Sequence, residues 1–341
     1  LLDGSNWASS FQFRVGGGEG DPITGIVSWY NFNLLVFKTR SIHVVATDPT
    51  QATAANWQVH RIDNTVGCVG HRTIAQAGPD VFFLARDGIR TVRTILSGAQ
   101  SSVSEPISIP IDDIIGRINW AYASRACATF WGNKYMLSVP LDSSTTNNYT
   151  IIYNTVSRSW SGYWTGWTPN VFGVSSFSDY PKMIFGDSSG NVSTWQDYVK
   201  DSDASTATYQ DNGSDYETML VTRGHVFGDF MSPKLGNHVD VEFTNSTVGC
   251  HCADIFITTD EGSLLDNSMI ADNINTTSVG VPLPVNLNFT LPRIGPFSKS
   301  YNLTTRGEFN EVKFKIRSES GKLHIRSLKA SAFINTMALE K

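Results

Sequence analysis

One pattern recurs along this chain and narrows its folding options more than any other. Asp80 to Val92 reads DVFFLARDGIRTV: an apolar run, an Asp-Gly turn, then an alternating return strand. Asp-Gly between such runs is a strong local signal for a β-hairpin. The same phrase returns at Asn33 to Val45 (NLLVFKTRSIHVV), at Tyr149 to Trp160 (YTIIYNTVSRSW) and at Lys182 to Trp195 (KMIFGDSSGNVSTW). Each time the first strand is largely apolar and the second half-polar, as suits an inner and an outer strand of a small sheet.

The spacing turns hairpins into larger units. Ile42 to Ile89 is 47 residues, Ile89 to Val156 is 67, and Val156 to Val192 is 36. With one insertion, the period falls at about 40 to 50 residues, the range of four-stranded propeller blades. Extra strands are expected upstream of each hairpin, at Thr24 to Trp29, His71 to Gln76, Ala121 to Trp131 and Val171 to Phe177. Helical periodicity is nearly absent, and the best window is Ile111 to Trp120. The expected fold is therefore all-β. It comprises a β-propeller, incomplete or partly visible, with blades of antiparallel strands, over residues 1–200. The opening Leu1 to Trp7 reads as the end of a blade, with earlier blades missing or supplied from elsewhere.

Residues 201–215 turn to Asp, Ser, Thr, Gln and Gly and read as a linker. Beyond it, Lys234 to Phe243, Ala253 to Thr258, Val312 to Arg317 and Leu323 to Leu328 alternate apolar with polar, and Ala332 to Ile334 closes the chain. The last two long runs frame a Ser-Glu-Ser-Gly turn. A β-sandwich-like domain is expected over 216–341.

Composition excludes several classes. With 341 residues, 40% hydrophobic and 17% charged, the chain is too apolar for disorder. Net charge is −5 and the pI is near 5.8, which argues against a dedicated nucleic-acid binder. The balance is uneven: Tyr301 to Lys341 holds eight Lys/Arg against four Glu, a net of +4, leaving −9 for the rest. No apolar run approaches the roughly 18 to 20 residues of a membrane span. The seven Asn-x-Ser/Thr sequons, Asn148, Asn191, Asn245 and Asn302 among them, match what an Asn-, Ser- and Thr-rich chain produces by chance.

Catalytic signals are weak. Cys68, Cys127, Cys250 and Cys252 form no disulfide framework. On a strand, Cys250 and Cys252 share one face while His251 points to the other, so the three do not converge on a metal. The glycine-rich Val15 to Gly20 has no helix after it to aim amides at a phosphate. Gly186 to Gly190 matches Gly-x-Ser-x-Gly, but strand follows where a nucleophile elbow needs helix. Asp87 with Gly88, and Asp187 with Gly190, read as structural turns. In these turns, as at Asp260, the carboxylate is expected to bond its own backbone. His43 and His324 sit on expected strands. Of nine Trp, five (Trp120, Trp131, Trp160, Trp164 and Trp167) fall within 48 residues. Packing between blades is the first reading, and Trp164 and Trp167 are the candidates for a surface that stacks on sugars. No catalytic, cofactor-binding or metal-ligating set is expected, and no cofactor.

Certain stretches also carry a resemblance. They are Asp3 to Trp7 (DGSNW), Gly20 to Ile26 (GDPITGI) leading to Leu35 to Ile42 (LVFKTRSI), and Val66 to Thr73 (VGCVGHRT) leading to Asp80 to Ile89 (DVFFLARDGI). In these the chain resembles the tail nozzle proteins of short-tailed bacteriophages, also called tail tubular protein B or phage stabilisation proteins. Family members usually carry more chain ahead of the DGSNW region, which leaves the blade number open. The resemblance implies a homohexameric, non-enzymatic ring at the distal tail of the virion. It would meet a tail adaptor ring, tail fibres and the host cell surface. Double-stranded DNA would pass through its lumen without specific binding during ejection. The alternative from another class is a glycan-binding or glycan-hydrolysing propeller that serves as a receptor-binding protein.

Overall fold

The computed structural model describes residues 14–18, 20–30, 32–47, 57–94, 101–176, 181–195, 210–211, 213–243, 252–260, 269–275, 297–303, 308–319 and 325–334. They form two compact units, Leu1–Asp197 and Tyr198–Lys341.

The first unit is a succession of antiparallel meanders. β1 (Ile23–Trp29), β2 (Asn33–Lys38), β3 (Ile42–Ala46) and β4 (Gln58–Asp63) pair in chain order. So do β5 (Ala75–Ala77), β6 (Asp80–Ala85), β7 (Gly88–Thr94) and β8 (Ser101–Val103). A short helix, α1 (Asp112–Gly116), precedes the third meander. That meander contains β9 (Cys127–Trp131), β10 (Lys134–Val139), β11 (Tyr149–Asn154) and β12 (Ser159–Trp164). The fourth has three strands, β13 (Val171–Ser175), β14 (Lys182–Gly186) and β15 (Val192–Thr194). Successive four-stranded meanders have the topology of propeller blades.

Strand alternation explains why they stack. On β6, Val81, Phe83 and Ala85 join Leu35, Phe37 and Ile42 in the core between the first and second sheets. The residues between them, Phe82 and Leu84, join Tyr135, Leu137 and Ile151 between the second and third sheets. The next gap is filled by Met136 and Ile152 from the third sheet against Met183 from the fourth. A strand buried on both faces reads as an unbroken apolar run, which is why VFFLA looked unlike a half-wet strand. Each fully buried side chain of this size contributes about 1.5–3 kcal/mol.

The Asp-Gly turn of β6–β7 closes on an Ala85–Gly88 pair. Gly88 has φ +133, and a Cβ there would run into the Ser108 hydroxyl. That hydroxyl accepts the Ile89 N–H at 3.0 Å, so the position has no room for a side chain.

Several expectations change. The hairpin at Tyr149 to Trp160 is the third-to-fourth strand pair of its meander, whereas those at Asn33, Asp80 and Lys182 are second-to-third pairs. The true counterpart is β10–β11, and from second strand to second strand, at Asn33, Asp80, Lys134 and Lys182, the steps are 47, 54 and 48 residues. β10 was hidden because Pro140 to Asn148 separates it from β11. The outer strands β4 and β8 were missed because QVHRID and SSV carry little apolar signal. His71 to Thr73 and Ala123 to Arg125 are single 3-10 turns, and strand begins only at Ala75 and Cys127. Among the described residues no helix is long and apolar enough to cross a membrane.

In the second unit, β16 (Gln210–Asp211) and β17 (Ser214–Asp215) pair, so the end of the stretch expected as linker is a small hairpin. Residues 201–209 lie outside the described set. One sheet has the order β18 (Thr218–Val221), β24 (Val312–Ser318), β20 (Cys252–Thr259), β21 (Met269–Asn275). The other is built on β19 (Lys234–Phe243). It pairs with β22 (Phe297–Asn302) and β23 (Glu308–Phe309), and separately with β25 (Ile325–Ile334). Val239, Val241 and Phe243 of one sheet meet Ile255, Ile257, Phe314 and Ile316 of the other, which makes a β-sandwich. Val312 to Arg317 and Leu323 to Leu328 do not form a hairpin, as their flanking turn suggested. β24 and β25 belong to opposite sheets, because each presents its apolar face to the same core. Ala332 to Ile334 continues β25 and is not a separate strand.

Candidate functional site

The turn residues singled out in the sequence are held for structural reasons. Asp87 does not bond its own backbone. Both of its oxygens accept from the Arg90 guanidinium, at 3.0 and 3.1 Å on Nε. Arg90 in turn donates to the Ser104 carbonyl at 2.6 Å. The ion pair thus clips the β6–β7 turn to the segment after β8. Asp187 behaves as the sequence suggested. Its Oδ1 accepts the Ser189 and Asn191 amides at 2.9 and 2.8 Å, and its Oδ2 accepts the Asn191 side-chain amide at 3.0 Å. The Asn191 side chain, followed by the backbone amides, holds this carboxyl below its ordinary range. Gly190, at φ +86, completes the turn. Gly186 to Gly190 therefore joins β14 to β15 and is no nucleophile elbow. Asp260 reaches across to accept the Asn310 and Glu311 amides at 2.7 and 3.2 Å, which again differs from the expected self-bonding. The three carboxylates sit on three different sheets.

Trp167 is buried, and its ring lies 5.0 Å from Phe185 and 5.1 Å from Trp195. Trp164 stacks on Trp195 at 5.1 Å and 20° and is 37% exposed. Most of this aromatic set fills the gap between the third and fourth sheets, and Trp164 alone among the three has a broad open face. Trp160 donates to the Ile107 carbonyl at 3.0 Å and packs on the second–third core. Cys68 and Cys127 are free and buried, and burial pushes their thiols up to about 11 and about 12. His43 is buried on β3. His324, Cys250 and His251 lie outside the described residues. Among those described, no group of His, Cys, Asp and Glu could hold a metal.

A solvent-open cleft was not anticipated. It has a volume of about 400 Å³ and lies between the second and third sheets, where the β5–β6, β9–β10 and β11–β12 turns meet. Phe82, Phe130 and Tyr153 line its apolar side, and Asp80, Arg93, Asn133, Thr155 and Arg158 supply polar groups. Thr155 donates twice to the Asn133 carbonyl, from its amide and its hydroxyl, both at 2.9 Å, which ties two of the turns together. Asn133, at φ +61 beside Gly132 at +53, completes the two-residue turn of β9–β10, and Arg158, at φ +52, ends the β11–β12 turn. Burial raises the Asp80 carboxyl, while the Arg93 charge pulls it back down. The sequence marked Asp80 and Arg93 only as ends of strands, and nothing in it placed them beside Arg158.

Among the described residues, one sheet face in the first unit is also uncovered. Val171, Gly186 and Val192 lie opposite one another across the fourth sheet, on the side away from Phe172, Met183 and Phe185. Val171 is 51% and Val192 76% exposed.

No family model and no curated protein matches this chain. Among solved structures, the β-propeller domain of Cps50 (Swd1) from Myceliophteria thermophila shares 14% identity at a TM-score of 0.33. That match covers 51% of this chain and 52% of the other, so the chain spans about half the length of that domain. An exo-β-1,3-galactanase from Phanerochaete chrysosporium, bound to β-1,3-galactotriose, shares 9% identity at a TM-score of 0.26. That match covers 90% of this chain and 80% of the galactanase. Likenesses this low decide nothing about chemistry, and the fold assignment rests on strand order and packing.

Proposed function

We propose that this chain is a structural ring subunit, of the kind that forms the nozzle of a short-tailed bacteriophage tail. The observation that supports the reading most is the open face of the fourth sheet. Every earlier gap in the stack is filled by apolar side chains from both sides, yet among the described residues no sheet lies over Val171 and Val192. An exposed apolar sheet face is the kind of surface that a protein partner covers. In a cyclic assembly, each subunit's open surface is covered by its neighbour. The sandwich adds exposed Phe230, Met231, Phe333 and Ile334. The chain's net charge of −5 suits a lumen past which DNA slides, because like charge weakens phosphate adhesion.

Negative-stain imaging and light scattering on the full chain test this. A six-fold ring is the expected result, and Val192→Asp should dissociate it while leaving circular dichroism unchanged. A monomer at high concentration would overturn the reading, as would a ring indifferent to Val192→Asp and to a second variant, Val171→Asp.

A further inference from the structure

We infer that the cleft between the second and third sheets binds a saccharide bearing a carboxylate, such as a uronic or nonulosonic acid unit. Two features point to this. The first is size: about 400 Å³ falls within the range of small-molecule sites and admits one or two sugar rings. The second is the kind of groups on the walls. Arg93 and Arg158 both line the cleft; Arg93 stands next to the Val81–Val92 pair, across the ladder from Asp80, and Arg158 has no salt-bridge partner among the described residues. Guanidinium groups match carboxylates in geometry and bind them through paired N–H donors. Asp80, Asn133 and Thr155 add acceptors and donors suited to hydroxyls. Phe130, partly buried, offers an apolar surface on which a pyranose C–H face packs, whereas Tyr153 is buried against Phe82 and Trp160.

Asn133 and Arg158 reach the cleft from two different hairpin turns, in left-handed backbone conformations that such turns ordinarily use. A bare anion site would not need the aromatic wall, and a purely apolar ligand would leave both guanidiniums and Asp80 unused.

The test is a titration of the full chain followed by NMR and calorimetry. The probes are glucuronate, galacturonate, N-acetylneuraminate and a uronate oligosaccharide, with glucose, galactose and acetate as comparators. Saturable binding of at least one acidic sugar is expected, about ten-fold tighter than its neutral counterpart. Arg93→Gln should weaken it about ten-fold. So should Arg158→Gly, which relaxes the backbone and therefore does not threaten folding. If only the oligosaccharide binds, the source is a polymer, and the site stands. The inference is overturned if acidic and neutral sugars bind alike, if acetate competes equally, if nothing saturates, or if both variants bind as the parent does. It is separable from the ring reading, because neither arginine lies on the fourth sheet and both variants should still assemble.

Discussion

The stacking of sheets through alternate faces of one strand is open to a quantitative test at Phe83. This side chain is fully buried, and its ring centroid lies 5.0 Å from that of Phe37 on the first sheet. Phe82, its neighbour in sequence, points the other way and stacks on Tyr135 of the third sheet at 5.2 Å. Replacing any one of the three Phe by Leu keeps the site apolar and should cost about 1–2 kcal/mol. The informative quantity is the coupling. Phe37→Leu with Phe83→Leu should depart from additivity by about 0.5–1.5 kcal/mol, the worth of an aromatic pair beyond its buried area. Phe37→Leu with Phe82→Leu should add to within about 0.5 kcal/mol, because the backbone of β6 stands between them. The assay is urea unfolding followed by tryptophan fluorescence, with all variants read by the same probe. If Phe82 couples to Phe37 and Phe83 does not, β6 is turned over by one residue and the account of the stack is refuted.

Two further outcomes follow from single positions. His43 is buried beside Lys38, and neither of its ring nitrogens meets a hydrogen-bond partner among the described residues. Burial, and then the Lys38 charge, lower its pKa against a weaker opposing pull from Asp21, so the folded protein resists protonating this ring more than the unfolded chain does. The unfolded chain takes up the proton first, near the ordinary value of 6.5. Stability is therefore full above about pH 6.5 and falls as pH drops below it, by up to about 1.4 kcal/mol per unit. His43→Gln should flatten that part of the urea-midpoint profile, and an unchanged slope would remove His43 as its cause. At the opening turn, Gly88→Ala should cost about 1–3 kcal/mol from its φ of +133 and its collision with Ser108. A thermal melt equal to the parent's would show that the turn relaxes freely.

The all-β character, the second-to-third hairpins of three sheets and the alternating strands of the sandwich were legible in the sequence because their cause is local. Apolar alternation and an Asp-Gly turn act over a few residues. β4 and β8 were not legible, because an outer strand owes its pairing to the neighbour it completes and not to its own side chains. β10 was masked by the long Pro140 to Asn148 connection, and its absence shifted the assignment of Tyr149 to Trp160 by one strand. Among the turn carboxylates, Asp187 was readable because its partners lie within four residues. Asp260 was not, because the Asn310 and Glu311 amides it accepts are 50 and 51 positions away.

The candidate site shows the same division more sharply. Trp164 and Trp167 could be named from composition, but only packing separated a buried Trp167 from a half-open Trp164. The cleft could not be named at all. Asp80 and Arg93 face each other across the β6–β7 hairpin, a pairing its Asp-Gly turn fixes, but no spacing rule brings Asn133 and Arg158 to them. By itself, then, the chain's order of residues determined that VFFLA is an apolar inner strand turned back at Gly88, since apolar character and steric freedom are properties of the residues themselves. Which sheets press on its two faces, and which charges gather where their turns meet, was decided only in three dimensions. Burial and convergence belong to pairs of distant segments, and a sequence states the segments without stating the pairs.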